Sequence, residues 1–174
     1  MRRPALGSAL FFLLAPGVVA GLGPWLLTSW ELESMPDALR VLGALLIAAG
    51  LPVLVHAFVR FVTEGRGTPA PVAPTSRLVV GGLYRCVRNP MYVAVGAMIA
   101  GQALLFGSPA LGVYLALFCA GVATFVRGCE EPVLRAKFGE EYEGYRRAVP
   151  AWWPRLRPWR GTAEGPTGRG GTSA

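Results

Sequence analysis

Three groups of tyrosine, arginine and carboxylate side chains have the residue types expected of a ligand site. They lie in residues 82–92, in the adjacent pair Glu130 and Glu131, and in residues 142–146. Arginine pairs with carboxylates, carboxylates hold ammonium groups or sugar hydroxyls, and tyrosine rings attract cations. Such a set would suit a zwitterionic ligand. The candidate residues are Tyr84, Arg85, Arg88, Asn89, Tyr92, Glu130, Glu131, Tyr142, Tyr145 and Arg146.

Other catalytic patterns are missing from the sequence. It contains neither a Ser/His/Asp set nor a phosphate-binding glycine loop. Cys86, Cys119 and Cys129 are widely spaced, and the lone His56 cannot complete a metal site with them. We therefore expect no bound metal, and unpaired thiols in a reducing compartment.

The elements that must position these groups are apolar. Between Arg88 and Arg127 the chain carries no charge, and as one helix this run would be roughly 57 Å long. A bilayer core is only about 30 Å thick, so the run must fold back, and Gly107-Ser108-Pro109 is the predicted turn. The resulting tight transmembrane hairpin would bring residues 88–92 next to residues 127–132 at one membrane surface.

The whole chain has the composition of a small polytopic membrane protein. Of its 174 residues 53% are hydrophobic and 16% charged, and the mean hydropathy is +0.44. The net charge of +7 is compatible with nucleic acid or an anionic membrane as partner. The apolar spans favour the membrane, and we expect no nucleic-acid partner.

Two further spans are predicted before the hairpin. The first covers about Ala5 to Ser29, which is too long and continuous for a cleaved signal peptide, and the second about Ala38 to Val62. His56 and Arg60 share a face of the second span. They either line a polar pocket, or Arg60 extends to the surface beside a packed His56. Residues 64–80 are predicted to form a loop.

The remainder of the chain is amphipathic and basic. Leu134, Phe138, Tyr142, Tyr145 and Val149 form a helical stripe, which Gly139 is expected to interrupt. Residues 152–160 alternate tryptophan, proline and arginine, as in a segment at the surface of an anionic membrane. Residues 161–174 are predicted to be disordered. Loop charges place both termini in the cytoplasm, as expected in a bacterial inner membrane.

The ordered set of motifs resembles a known enzyme superfamily. Gly-Leu-Tyr-Arg-Cys-Val-Arg-Asn-Pro-Met-Tyr at 82–92, followed after the hairpin by Glu-Glu-Pro-Val-Leu-Arg-Ala-Lys-Phe-Gly-Glu-Glu-Tyr-Glu-Gly-Tyr-Arg-Arg at 130–147, is similar to the isoprenylcysteine carboxyl methyltransferases and phospholipid methyltransferases. The resemblance implies an integral-membrane enzyme that uses S-adenosylmethionine. It also implies a cofactor pocket formed by Tyr84, Arg88, Asn89, Pro90, Tyr92, Glu130, Glu131, Tyr142 and Tyr145, with Arg146 helping to close it. Asn89 stands where the family often has histidine, so it can form hydrogen bonds but cannot titrate.

The fold expected from residues and resemblance together is all-α, with four transmembrane helices and C-terminal cytosolic amphipathic helices. Residues 1–160 would form one membrane methyltransferase domain, with a cofactor-binding core at about 65–155.

The expected function is transfer of a methyl group from S-adenosylmethionine to a lipophilic acceptor, either an isoprenylcysteine-type carboxylate or a lipid headgroup, with Glu130, Glu131 and Arg146 as catalytic residues. Pro132 should force a helix break at Glu131. The alternatives are a non-enzymatic scaffold that binds anionic lipid through its basic end, and a reductase with a similar helical core.

Overall fold

A computed structural model describes residues 15–65 and 77–161, and within these ranges the chain is helical and contains no strand. The helices are α1 (Ala15–Thr28 as far as it is described), α2 (Asp37–Gly65), α3 (Pro90–Phe106), α4 (Pro109–Phe125) and α5 (Glu131–Ala148). A 3₁₀ turn spans Gly82–Arg85, and π turns span Val18–Leu22 and Val126–Glu130. The all-α prediction is confirmed. The predicted start of the first span, most of the 64–80 loop and the predicted tail lie outside the described residues.

Among the described residues, two helices are long and apolar enough to cross a membrane. One is Asp37–Glu64, and the other is the continuous helical stretch Pro109–Ala148, whose apolar part is α4. Ala15–Thr28 and Pro90–Phe106 are apolar but shorter. At 17 residues, α3 and α4 are each about 26 Å long. The membrane character is thus supported, and the count of four spans stays a prediction.

The packing of α2 against α3 depends on glycine. A Cβ atom on Gly43 would lie 2.5 Å from the carbonyl oxygen of Gly101, and a Cβ on Gly101 would lie 2.6 Å from the carbonyl oxygen of Gly43. No side chain fits at that distance, so the two backbones touch directly. Small residues allow such close approach between apolar helices, where dispersion replaces the hydrophobic effect as the driving force.

The π turn in α1 is stabilised by side chains from the neighbouring helices. Gln102 Nε2 donates to the carbonyl oxygen of Ala20 at 2.7 Å, and the Tyr114 hydroxyl donates to that of Val19 at 2.9 Å. A π turn disturbs the regular i→i−4 hydrogen bonding of a helix. Donors from α3 and α4 satisfy these carbonyl groups, which ties α1 to both helices in an apolar setting where an unpaired carbonyl would be costly.

The break between α3 and α4 lies at the predicted Gly107-Ser108-Pro109. Gly107 ends α3 with φ 72°, a left-handed conformation that favours glycine, and Pro109 is the first residue of α4. The ring of Trp30 stacks on that of Phe106 at 6.4 Å, and the Glu33 amide donates to the Phe106 carbonyl. The loop between α1 and α2 therefore packs against the end of the molecule opposite Arg88.

The amphipathic stripe predicted for α5 is confirmed. Tyr142, Tyr145 and Val149 are buried against Leu78 and Val80, with Leu134 and Phe138 partly buried beside them. The predicted interruption is also present, because Gly139 has φ 52° and ψ −125° within α5. Glu64 and Gly65, by contrast, belong to α2 and not to the loop predicted for residues 64–80.

After α5 the chain crosses back over the segment that precedes α3. We call residues 149–161 the strap. Backbone hydrogen bonds pair the strap with residues 85–89: Arg88 N to Pro150 O, Asn89 N to Ala151 O, Arg155 N to Cys86 O, and Trp159 N to Arg85 O. This pairing positions the strap beside Arg88 and Glu131.

Candidate active site

The centre of the site is the carboxylate of Glu131, a buried residue. Its Oε1 accepts a hydrogen bond from Arg88 Nη1 at 3.0 Å. Its Oε2 lies 3.3 Å from Arg146 Nε and 3.7 Å from Arg135 Nη2. One buried carboxylate thus faces three guanidinium groups that come from residues 88, 135 and 146.

The backbone at Glu131 is helical, with φ −60° and ψ −43°, so the predicted helix break is wrong. Glu131 directly follows the π turn Val126–Glu130, and Pro132 lies in the first turn of α5. Pro132 donates no backbone hydrogen bond, and the helical stretch Pro109–Ala148 nevertheless continues through it. The consecutive carboxylates project in different directions, Glu131 toward Arg88 and Glu130 toward Tyr92.

Glu130 and Tyr92 form a separate pair. The Tyr92 hydroxyl donates to Glu130 Oε1 at 2.6 Å. Burial raises the pKa of the Glu130 carboxyl above its ordinary value, and the hydrogen bond from Tyr92 acts in the opposite direction. Glu130 lies beyond the end of α4, so the pair connects the start of α3 to the π turn.

The three other candidate tyrosines, Tyr84, Tyr142 and Tyr145, adjoin Arg88. Arg88 Nη1 also lies 3.0 Å from the Tyr142 hydroxyl, and the Tyr145 hydroxyl donates to the Tyr84 carbonyl oxygen at 2.6 Å. The Tyr84 hydroxyl reaches the Ala57 carbonyl oxygen at 3.4 Å. Burial raises the pKa of all three phenols, so they remain protonated. With Arg88 they line a cavity of about 80 Å³.

A larger polar cavity of about 270 Å³ adjoins Arg88 and Glu131. Its lining residues are Arg88, Val126, Arg127, Glu131, Arg146, Ala151 and Trp152. Three arginines and one glutamate give it a positive charge. Among the described residues, the buried Nε atoms of Arg88 and Arg146 have no hydrogen-bond partner; the 3.3 Å approach of Arg146 Nε to Glu131 is an ion pair without hydrogen-bond alignment. Both side chains line the cavity, so its wall carries guanidinium groups suited to an anionic group.

The structure places the predicted site residues in distinct positions. Arg88 contacts Glu131 and Tyr142, and Glu131 also contacts Arg146. Tyr84 and Tyr145 line the small cavity together with Arg88. Asn89 instead binds the strap, because both its backbone N and its Nδ2 donate to the Ala151 carbonyl oxygen.

Pro90 lies away from this group, in a third, apolar cavity of about 240 Å³ between α2 and α3. Arg127 and Trp152 line the polar cavity but were not among the residues predicted for the site. The sequence signal for Trp152 was ambiguous, because a tryptophan beside proline and arginine is equally typical of a membrane surface.

The family model of the phospholipid methyltransferases matches residues 38–141, which is more than half of the chain. This chain belongs to the phospholipid methyltransferase family. The family expected from the sequence motifs is thereby confirmed. The match covers α2, α3, α4 and the first part of α5, including Arg88 and Glu131. No curated protein and no solved structure matches the chain.

Membership of the phospholipid methyltransferase family indicates an enzyme that transfers methyl groups to lipid-type substrates. It does not favour the scaffold alternative. Tyr142, Tyr145, Arg146 and the strap follow the matched range, and their part in the site rests on their contacts with Arg88 and Glu131.

Replacing Glu130 by glutamine should change how stability depends on pH. The raised pKa means that the folded protein binds this proton more tightly than the unfolded chain does. The resulting stabilisation is present at low pH and is lost as the pH rises from the ordinary glutamate value of 4.5 through the raised value.

In Glu130→Gln the side-chain amide oxygen can still accept the hydrogen bond from Tyr92, but the side chain does not titrate. The stability of this variant should therefore not fall over this pH range. Unfolding midpoints in detergent across this pH range measure the difference, with the exposed Glu140→Gln as control. Parallel curves for wild type and Glu130→Gln would contradict the prediction.

Proposed function

We propose that this phospholipid methyltransferase family member transfers a methyl group from S-adenosylmethionine to a lipophilic acceptor, with the polar cavity as the cofactor site. The observation that carries the proposal is the buried cluster in which Glu131 pairs with Arg88 and Arg146 at the wall of the polar cavity, while Arg88 Nε has no hydrogen-bond partner. Buried polar groups in native proteins are nearly always satisfied, so an unpaired donor beside a cavity is consistent with a polar ligand or ordered water bound there.

The lining of the polar cavity fits the proposed cofactor. The amino-acid carboxylate of S-adenosylmethionine requires donors, which Arg88 and Arg146 can supply. Glu131 can accept from the ammonium or ribose hydroxyl groups, and the Trp152 ring offers an aromatic surface for a cationic sulfonium. When bound, the cofactor supplies an activated methyl group. The chain's own residues bind and orient it and, through the strap, exclude water.

Acceptor chemistry determines whether a base is needed. A carboxylate acceptor is already nucleophilic, whereas an amine acceptor must lose a proton. Glu130 is the candidate base for that proton, because burial raises its pKa and a carboxylate with a raised pKa takes up protons closer to neutral pH. Tyr92 holds the Glu130 carboxylate at 2.6 Å and fixes its position. Most of the rate enhancement would come from positioning and dehydration.

The proposed topology has four spans, α1 to α4, in one domain covering residues 1–160 with the cofactor core at about 65–155. The hairpin of α3 and α4 supports it, because the break at Gly107 returns the chain to the end that carries Arg88 and Glu131. That end carries most of the arginines, which favours the cytoplasmic face of a bacterial inner membrane with both termini in the cytoplasm.

Membrane vesicles of defined orientation test function and topology together. S-adenosylmethionine carrying a labelled methyl group does not cross a bilayer unaided, so only inside-out vesicles should transfer label to the lipid fraction. Arg146→Gln should lower the transfer about tenfold or more, since it removes a charge-assisted contact to the ligand. The adjacent Arg147, which is exposed, provides the matched control Arg147→Gln. Transfer in right-side-out vesicles alone would reverse the orientation, and no transfer in either would favour the scaffold.

A further inference from the structure

The strap lies at the boundary between the polar and apolar parts of the chain. Its four backbone hydrogen bonds reach residues 85, 86, 88 and 89, and α3 begins at Pro90. The charge-free run starts at the same point, because Arg88 is the last charged residue before Arg127. If α3 crosses the membrane, as the proposed function holds, the pairing fixes the strap at the depth of the lipid headgroups.

The strap has an inner face and an outer face. On the inner face Trp152 lines the polar cavity, and Trp159 lies 5.5 Å from the Tyr145 ring. On the outer face Trp153 is 82% exposed and Leu156 is fully exposed, and the exposed Arg157 and Arg160 lie beside them. Between Val149 and Gly161 the sequence contains no acidic residue. Exposed tryptophan and leucine side chains among arginines are complementary to an anionic bilayer surface, because tryptophan prefers the headgroup region and arginine pairs with anionic lipid.

We propose that the outer face of the strap binds the anionic phospholipid surface of the bilayer and that this contact holds the strap closed over the polar cavity. The inference rests on the proposed function for the nature of the cavity's ligand, but the closure itself concerns only the strap and the bilayer.

The coupling between the two faces follows from their continuity. Ala151, which accepts two hydrogen bonds from Asn89, and Trp152, which lines the cavity, directly precede Trp153. A bilayer surface that binds the outer face favours the closed arrangement over an open one, and a ligand that requires Trp152 favours the same arrangement. Two ligands that stabilise one state strengthen each other's binding reciprocally.

The experiment compares the purified protein in nanodiscs of phosphatidylcholine with nanodiscs rich in phosphatidylglycerol. Hydrogen exchange at the amides of Arg88, Arg155 and Trp159, measured without cofactor, reports strap closure directly, because these amides donate the strap's hydrogen bonds. We expect exchange at least about fivefold slower in the anionic nanodiscs, and S-adenosylmethionine binding tighter by a similar factor.

Two double variants separate the apolar and cationic contributions of the outer face. Trp153→Ser with Leu156→Ser, and Arg157→Gln with Arg160→Gln, should each remove most of the difference between the two lipids. The control is Val133→Ser with Arg147→Gln, which changes exposed residues of α5 and should keep the difference. None of the substituted residues lines the polar cavity.

The outcomes decide the inference and the proposed function separately. Equal exchange in the two lipids, or a lipid effect that survives in both strap variants, would overturn the closure. Slower exchange in anionic lipid that leaves cofactor affinity unchanged would overturn the coupling. Absence of cofactor binding in every nanodisc contradicts the proposed function, and the exchange rates then still decide whether anionic lipid closes the strap.

Discussion

Glu131→Ala should destabilise the folded protein by about 3–5 kcal/mol and abolish measurable cofactor binding. The Glu131 and Arg88 side chains are each 11% exposed and form a hydrogen-bonded ion pair at 3.0 Å. Removing the carboxylate leaves the Arg88 guanidinium buried without its counter-ion, and it removes the group that orients Arg146. For a domain of this size the unfolding temperature falls by about 2–4 °C for each kcal/mol. Thermal unfolding in detergent and calorimetric titration with S-adenosylmethionine measure the two effects.

The control for Glu131 is another glutamate of α5 that also pairs with arginines. Glu143 lies 2.7 Å from Arg135 Nε and 3.5 Å from Arg146 Nη1, but its side chain is 36% exposed. Water screens such pairs, and they contribute about 0–1 kcal/mol. Glu143→Ala should therefore change stability little and keep cofactor binding. Equal losses for the two variants would remove Glu131 from its central place in the site.

A double substitution distinguishes a missing charge partner from a missing ligand contact. If the cost of Glu131→Ala comes mainly from the unpaired Arg88, then adding Arg88→Leu should recover part of the stability, because no buried charge remains. Cofactor binding should not recover, since both groups line the polar cavity. Recovery of binding together with stability would show that Glu131 and Arg88 act only in folding.

Features coded by local residue chemistry could be predicted from the sequence. Gly107-Ser108-Pro109 ends one helix and begins another because glycine adopts positive φ and proline suits a first turn. The stripe from Leu134 to Val149 is buried as its spacing predicts, and Gly139 interrupts it. Arg88 contacts Glu131, and Tyr92 contacts Glu130. These contacts agree with the prediction that the two ends of the apolar run lie close together.

Features that depend on backbone pairing or on tertiary contacts could not be predicted. The strap pairs with residues 85–89 through backbone N–H and carbonyl groups, which every residue type carries, so no side-chain pattern indicates it. The family motif predicts a cofactor role for Asn89. Its Nδ2 donates to the carbonyl oxygen of Ala151, a residue 62 positions away, and no sequence pattern indicates that contact. The expected break at Glu131 failed because a local preference of residues before proline is weaker than the continuing helix.

Gly139→Ala is the second substitution with a large expected effect. Gly139 has φ 52° and ψ −125°, a combination that L-amino acids avoid, so alanine should cost about 1–3 kcal/mol although no atom lies within 4 Å of the added Cβ. The cost is conformational, and the chain can lower it by straightening α5. Tyr142 and Arg146 lie after the kink and contact Arg88 and Glu131. Straightening α5 would move both side chains away from these partners. Stability and cofactor affinity should therefore fall together.

Gly144 offers the matched control within the same helix. A Cβ at Gly144 also meets no atom within 4 Å, but the residue has no positive φ, so Gly144→Ala should stabilise the protein by about 0.5–1 kcal/mol through the better helix propensity of alanine. Opposite signs for the two glycine-to-alanine changes, measured as unfolding midpoints in one detergent, would show that the kink at Gly139 is required. The Arg135–Glu143 pair, at 2.7 Å, joins the two halves of α5 across the kink. If Gly139→Ala unfolds like wild type and binds cofactor normally, the kink does not position Tyr142 and Arg146.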